Sequence, residues 1–237
     1  MGNEEQVVPA EKVRSEPRGG VLVVAINNPP TGSLSADVRR GLSVALDASE
    51  GDHDIHAVVI TGGEVTFATG APLNEHAEDG VPDLAALCDR IEAFQKPVVV
   101  AIRGAALGGG LELALSAHLR LAAASARLGA PDITLGLVPN AGGTQRLPKV
   151  IGGVAALKLL LSGRAVAGDA ASKLGLVDVL VAENLLDTAV SHAQKLAASQ
   201  GELRRSSTRR DRLGEGTAFL EAVAMHRRAA DASPLEA

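Results

Sequence analysis

Residues Pro97 to Leu119 read PVVVAIRGAALGGGLELALSAHL, the longest apolar stretch of the chain. Its length invites a membrane-spanning reading. Arg103, Glu112 and the run Gly108-Gly109-Gly110 oppose that reading, because a charge at mid-bilayer costs about 2.5–3.5 kcal/mol even on the lenient insertion scale. The stretch divides instead into a buried strand over Pro97–Ile102, a glycine turn and a helix over Leu111–Leu119. Working outward, Val21–Ile26 (VLVVAI) is closed by Asn27-Asn28-Pro29-Pro30, and Ala57–Thr61 (AVVIT) by Gly62-Gly63; both read as strands. Between them Val38, Leu42, Ala45 and Leu46 recur at helical spacing behind Ser35, the expected N-cap. Leu84, Leu87, Ile91 and Phe94 mark a second helical face, and Leu186, Ala189, Val190, Ala193 and Leu196 another. Val154–Leu161, Ala167–Leu174 and a last segment around Phe219–Arg228 also read as helical. Leu121–Ala124 reads as extended, and Thr66–Gly80 and Pro131–Pro139 as loops. Strands alternating with helices predict an α/β fold with mostly parallel pairing.

The whole-chain quantities agree with one domain plus a small appendage: 237 residues, 46% hydrophobic and 22% charged. A net charge of −5 argues against nucleic acid, and three phenylalanines with no Trp or Tyr leave little to stack bases on. One cysteine, Cys88, makes no internal bridge, which suits a reducing compartment; a cytoplasmic location without membrane insertion is the expectation. Residues 1–18 are polar, lack the apolar core of a signal peptide and read as a flexible lead-in. From Gly201 onward Arg204, Arg205, Arg209, Arg210 and Arg212 sit among Ser and Gly. Residues 201–237 therefore read as a short linker and helix, with Arg204–Arg212 expected to be mobile.

The common catalytic signatures are absent from the sequence. The glycine loop lacks the Lys-Ser/Thr of a phosphate cradle, no G-x-G-x-x-G follows the first strand, and no G-x-S-x-G occurs. Cys88 and the scattered histidines have no zinc spacing, so no metal is expected. His118, at the end of an apolar helix, reads as a core-edge or capping residue, favourable there as a cation. What remains is Gly104–Gln145. Three glycines before a helix let another molecule approach the backbone, and the helix start offers unpaired N–H groups and a positive dipole end. Such a turn suits a developing oxyanion. Glu112, one turn in, serves either the dipole or proton transfer. Asp132, in Gly129-Ala130-Pro131-Asp132-Ile133, is either a turn aspartate or a second carboxylate for acid/base work on a carbonyl compound.

The run from Pro97 to Gly153, PVVVAIRGAALGGGLELALSAHLRLAAASARLGAPDITLGLVPNAGGTQRLPKVIGG, resembles the crotonase superfamily, and within it the enoyl-CoA hydratases. Ile26–Leu34 (INNPPTGSL) and Thr66–Leu73 (TFATGAPL) look like that family's first-strand loop and oxyanion loop, and the pattern is most similar to the hydratase domain of bifunctional β-oxidation enzymes. The resemblance implies a crotonase-like ββα superhelix over residues 19–200, with C-terminal helices. It implies that the N–H groups of Ala71 and Gly109 hold a thioester oxygen, and that Glu112 and Asp132 are the two acids. It places Thr31, Ala68, Gly108, Pro139 and Asn140 against substrate or coenzyme A, with Ala68 on the adenine side. Coenzyme A enters as part of an acyl-CoA substrate, and no separate cofactor is implied. The implied activity is hydration of a 2-enoyl-CoA in a homotrimer or hexamer. An enoyl-CoA isomerase and a weakly active acyl-CoA-binding scaffold are the alternatives.

Several positions depart from the family pattern. Asp132 stands where glutamate is usual, Asn140 where glycine is usual, and Pro72 where aspartate is usual. Asn140 is acceptable because Asn tolerates positive φ. The loop Asn28–Ser33 lacks a lysine that many relatives carry, which leaves Arg103, Arg146 and Lys149 as candidates, by charge alone, for the coenzyme A phosphates.

Overall fold

The computed structural model describes residues 11–72, 75, 79–199, 201–212, 214 and 216–232. Strand β1 (Val13–Arg18) turns through Gly19 and Gly20, both at positive φ, and pairs antiparallel with β2 (Val21–Ile26) along its whole length. Val13–Arg18 is therefore an ordered strand and not part of a flexible lead-in as expected. The segment looked like a loop because its side chains are mostly exposed: it is an edge strand of polar composition, and pairing across the turn orders it. Residues 1–10 lie outside the described part.

The chain continues through helix α1 (Ala36–Gly51), β3 (Ala57–Thr61), β4 (Thr66–Ala68) and α2 (Leu84–Ala93). Next come β5 (Val98–Ile102), β6 (Ala105–Leu107), α3 (Gly109–Ser116), β7 (Leu119–Ala123) and β8 (Arg127–Gly129). A 3-10 turn (Pro131–Leu135) leads to α4 (Gly143–Ile151), α5 (Gly153–Ser162), β9 (Val166–Ala167), α6 (Gly168–Leu174), β10 (Val179–Val181) and α7 (Leu185–Ser199). A second 3-10 turn (Ser206–Thr208) precedes α8 (Gly216–Ala232). The strands make a six-stranded sheet, β1-β2-β3-β5-β7-β10, and a four-stranded sheet, β4-β6-β8-β9. Three successive units share one plan: a strand in the large sheet, a short strand in the small sheet, then a helix. They are β3-β4-α2, β5-β6-α3 and β7-β8-α4, which is a ββα superhelix with the C-terminal helices added after it.

The central strands β2, β3 and β5 of the large sheet are buried on both faces, so they are continuously apolar rather than alternating. Leu22, Val24, Val58, Ile60, Val98 and Val100 face the main core with α1, α2 and α3. Val21, Val23, Ala57, Val59, Val99 and Leu121 face the opposite way, against Leu185, Ala189 and Ala193 of α7. The apolar stripe of α7 is thus covered within the chain.

The arginine-rich segment after Gly201 is docked, contrary to the mobility expected from its composition. Ser206 is 3% exposed and donates through Oγ to the Leu115 carbonyl at 2.7 Å. The Ser207 N–H donates to Glu92 Oε1 at 2.6 Å, Arg205 Nε to the Glu92 carbonyl at 3.0 Å, and Arg204 pairs with Asp178. Each partner lies far away in sequence, so nothing in the local composition reveals the anchorage.

Candidate active site

The glycines before α3 are required by what passes over them. A Cβ at Gly110 would lie 1.9 Å from the Ala68 carbonyl oxygen, and one at Gly109 would lie 2.5 Å from Leu84 Cδ2 and 3.0 Å from Gly70 Cα. Gly108, the residue before the helix, has φ of 53°. The segment from Ala68 to Ala71 therefore crosses directly over the first turn of α3. The Cβ position of Gly109 is 3.8 Å from the Ala71 nitrogen, and that of Gly70 is 3.6 Å from the Gly109 nitrogen, so the Gly70–Ala71 backbone packs against the start of the helix. The first N–H groups of a helix have no partner inside it, and the dipole adds positive potential there.

The loop bearing Thr31 packs against this crossing. Thr69 N–H donates to the Gly32 carbonyl, while Leu34 N–H and Ser33 Oγ donate to the Gly70 carbonyl at 3.3 and 3.2 Å. Thr31 is exposed at the tip of the loop. Ala68 is fully buried beneath Gly110, so its side chain presents no surface to an adenine; its part is to pack the glycine turn. Beyond Ala71 the loop is fastened by Glu75. Its carboxylate accepts from the Ala36 N–H at 2.6 Å and pairs with Arg39, which is 6% exposed and also donates to the Leu34 and Pro82 carbonyls. Ser35 is the N-cap of α1 by position, but its hydroxyl makes no cap bond; the carboxylate of Glu75 takes that place.

Glu112 is 3% exposed. Its Oε1 accepts the N–H groups of Ala141 and Gly143, both at 2.8 Å. Burial raises its pKa above the usual carboxylate range. The two N–H donors pull it down, the charge of Asp132 pushes it up, Arg146 pulls it down, and the balance is upward. Asp132 sits on the 3-10 turn after β8, with both carboxylate oxygens 3.7 Å from the Cβ position of Gly108. Its Oδ2 is buried and has no hydrogen-bond partner among the described residues. Pro139 packs 3.2 Å from the Cβ position of Gly143, beside Glu112. Asn140 is exposed, and it does not use positive φ; among the described residues only Asn184 does so without being glycine. The structure thus gathers Ala71, Gly108, Gly109, Glu112, Asp132 and Pro139, with Thr31 at the rim, and leaves Ala68 beneath the floor.

The three cations considered for the phosphates are otherwise engaged. Arg146 is 4% exposed and pairs with Glu92 and Asp89, Lys149 donates to the Ser207 carbonyl, and Arg103 pairs with Glu64. His118 is buried, accepts the Val98 N–H through Nδ1 and has its pKa lowered to about 4, chiefly by burial. It is a neutral core acceptor rather than a cation at a helix end. A cavity of about 760 Å³ lies elsewhere, lined by Gly19, His56, Lys96 and Gln194. Reading the sequence missed Glu75, Arg39 and Glu92 because their partners are remote. Arg39 left one trace, a charged residue beside Val38 in the apolar stripe of α1.

A two-sheet ββα superhelix with a glycine turn opening a buried helix defines a crotonase-fold protein. The sequence profile described as enoyl-CoA hydratase/isomerase matches residues 16–210, and the chain belongs to that family. The peroxisomal bifunctional enzyme of Danio rerio is 45% identical over 188 residues, 79% of this chain and 26% of that enzyme. A probable enoyl-CoA hydratase of Bacillus subtilis (strain 168) is 42% identical over 167 residues, 67% of this chain and 65% of the relative. The crystal structure of enoyl-CoA hydratase from Mycobacterium tuberculosis H37Rv superposes with a TM-score of 0.74 at 32% identity, covering 94% of this chain and 84% of that one. The chain thus spans about a quarter of the length of the peroxisomal enzyme it matches. No helix among the described residues is long and apolar enough to cross a membrane.

Proposed function

We propose that this chain adds water across the 2,3 double bond of a 2-enoyl-CoA thioester. The observation that carries the reading is two carboxylates, Glu112 and Asp132, beside a glycine turn against which the Gly70–Ala71 backbone packs. The thioester oxygen takes hydrogen bonds from these two N–H groups, which draws electron density from C3. A donor of this kind typically contributes about 3–4 kcal/mol to the barrier. Water between the carboxylates bonds through oxygen to C3. One of its protons passes to a carboxylate and a proton is delivered to C2, so the pair ends in its starting protonation state. The orphan Oδ2 of Asp132 supplies an acceptor for that water, and the raised pKa of Glu112 suits a group that holds and releases a proton. Thr31 and Asn140 are proposed as contacts to the coenzyme A part. Loss of enoyl absorbance from crotonyl-CoA tests the reading; no loss at high enzyme concentration overturns it.

A second reading, an enoyl-CoA isomerase working through Glu112 alone, is favoured by the short arm of Asp132. A 3-enoyl-CoA converted to its conjugated isomer, with no hydration, would select it. Binding of an acyl-CoA with neither reaction would select the scaffold.

We also propose a homotrimer or hexamer. Ile133, Leu135, Leu137 and Val138, around Asp132, and Leu161 of α5 are exposed, and such apolar surface supports a contact between copies. Light scattering giving a clean mass near 24.1 kDa would refute this. A cytoplasmic location, supported by the single buried Cys88, stands as a proposal that fractionation tests.

A further inference from the structure

Behind Glu112 a continuous chain of hydrogen bonds leads away from the glycine turn to the C-terminal segment. Glu112 Oε1 takes the Ala141 N–H at 2.8 Å. The carbonyl of the same residue, Ala141, takes Arg146 Nη1 at 2.8 Å. Arg146 Nε donates to Glu92 Oε2 at 3.0 Å and Nη2 to Asp89 Oδ1 at 2.5 Å. Glu92 Oε1 in turn takes the Ser207 N–H at 2.6 Å. The guanidinium also dictates the turn between Ala141 and Gly143. A Cβ at Gly142 would lie 2.0 Å from Nη1, and Gly142 has φ of 95°, so a side chain there is excluded twice over. Nη1 thus braces the backbone that presents both N–H donors to Glu112, while Nε and Nη2 are held by Glu92 and Asp89, a task that needs a planar fork rather than a point charge.

We infer that Arg146 is a positioning residue for Glu112, and that the docked turn at Ser206–Thr208 supports it through Glu92. This rests on the reading of Glu112 as a catalytic group. The role differs from binding phosphate, because the guanidinium is buried and its donors are spent within the chain. It also gives the arginine-rich segment a function in the reaction: it closes the far side of the network that aims the acid. The charged and titratable groups facing Glu112 are Asp132 from the 3-10 turn, Arg146 from α4 and Cys88 from α2. Burial pushes the Cys88 thiol up to about 12, so it is neutral and does not compete. Asp132 opposes ionisation of Glu112, and Arg146 is the cation that favours it. Losing Arg146 therefore removes a positive charge and loosens two donors, both of which move the titration of Glu112 upward.

The test follows the carboxyl carbons of carbon-13-labelled glutamate through a pH titration of the full chain, with E112Q identifying the Glu112 signal. R146Q should raise the Glu112 midpoint by about one pH unit and carry the pH profile of kcat/KM with it. R146K, which keeps the charge but loses the fork, should give a smaller rise and partly rescue turnover. Because R146Q strands the Glu92 carboxylate, the double variant R146Q/E92Q repeats the measurement without a buried unpaired charge. S207P, which deletes the N–H that Glu92 accepts, should shift the midpoint in the same direction by less. A purely structural role predicts lower activity and a lower Tm with the Glu112 midpoint unmoved; that result in both R146K and R146Q/E92Q overturns the inference. Full hydration by E112Q would instead overturn the catalytic reading, whatever the titration of Arg146 variants shows.

Discussion

The two carboxylates of the site are built by opposite means. Glu112 stands on a buried helix and is gripped by two backbone N–H groups, which are held in turn by a buried arginine and its acidic partners. Asp132 stands on a 3-10 turn whose neighbours Ile133, Thr134 and Leu135 are exposed, and its Oδ2 has no hydrogen-bond partner among the described residues. The difference teaches which group tolerates change. A side chain fixed by many remote bonds is positioned by the whole fold, whereas one fixed by a short turn is positioned by its own arm length.

The most damaging way to break that contrast is to remove the floor on which both groups depend. Gly110→Ala places a Cβ 1.9 Å from a backbone oxygen, so the crossing must separate. Soluble yield and far-UV circular dichroism should fall together, with no hydration left to measure. Next in size, Glu112→Gln should keep the fold and lower turnover at least about a hundredfold, the lower range for a positioned acid/base. Equal rates on crotonyl-CoA for this variant and the parent would remove Glu112 from the mechanism.

Asp132 should respond more mildly and in two directions. Asp132→Ala should reduce hydration about tenfold or more, while Asp132→Glu, with its longer arm, should preserve or raise it. Undiminished hydration by Asp132→Ala would leave Glu112 as the sole acid and move the assignment to isomerase. The smallest effect at neutral pH belongs to His118, which accepts from Val98 and sits beside Glu92 on the buried side. Its folded pKa, about 4, lies below the ordinary 6.5. The unfolded chain therefore binds the extra proton first. The stability His118 contributes is complete above pH 6.5 and is lost as pH falls towards 4. Urea unfolding across that window should show a shallower acid decline in His118→Gln, even if that variant is less stable at pH 7.

Much of the fold was legible because burial on both faces leaves a local signature. The runs VLVVAI, AVVIT and PVVVAI announce central strands, and the Leu and Ala stripes of α2 and α7 announce the helices that cover them. The small sheet was not legible. Its strands are two or three residues long, too short for a period to develop, and they pair only because the superhelix brings them side by side. β1 escaped for a related reason: its exposed edge carries polar residues, so its order comes from β2.

The sequence by itself determined the glycine triplet, the acid one turn into the following helix, and the apolar strands that deliver both. These depend on neighbours within a few residues, where spacing and backbone freedom carry the information. Only the tertiary structure decided that the Gly70–Ala71 segment packs on Gly109, that Glu75 rather than the Ser35 hydroxyl caps α1, and that the arginine-rich segment is docked. It also placed Arg146, by charge a candidate for the coenzyme A phosphates, at a buried post behind Glu112. A buried charge is tolerable only with partners in place, and here those partners come from α2, from the turn before α4 and, through Glu92, from the segment after α7.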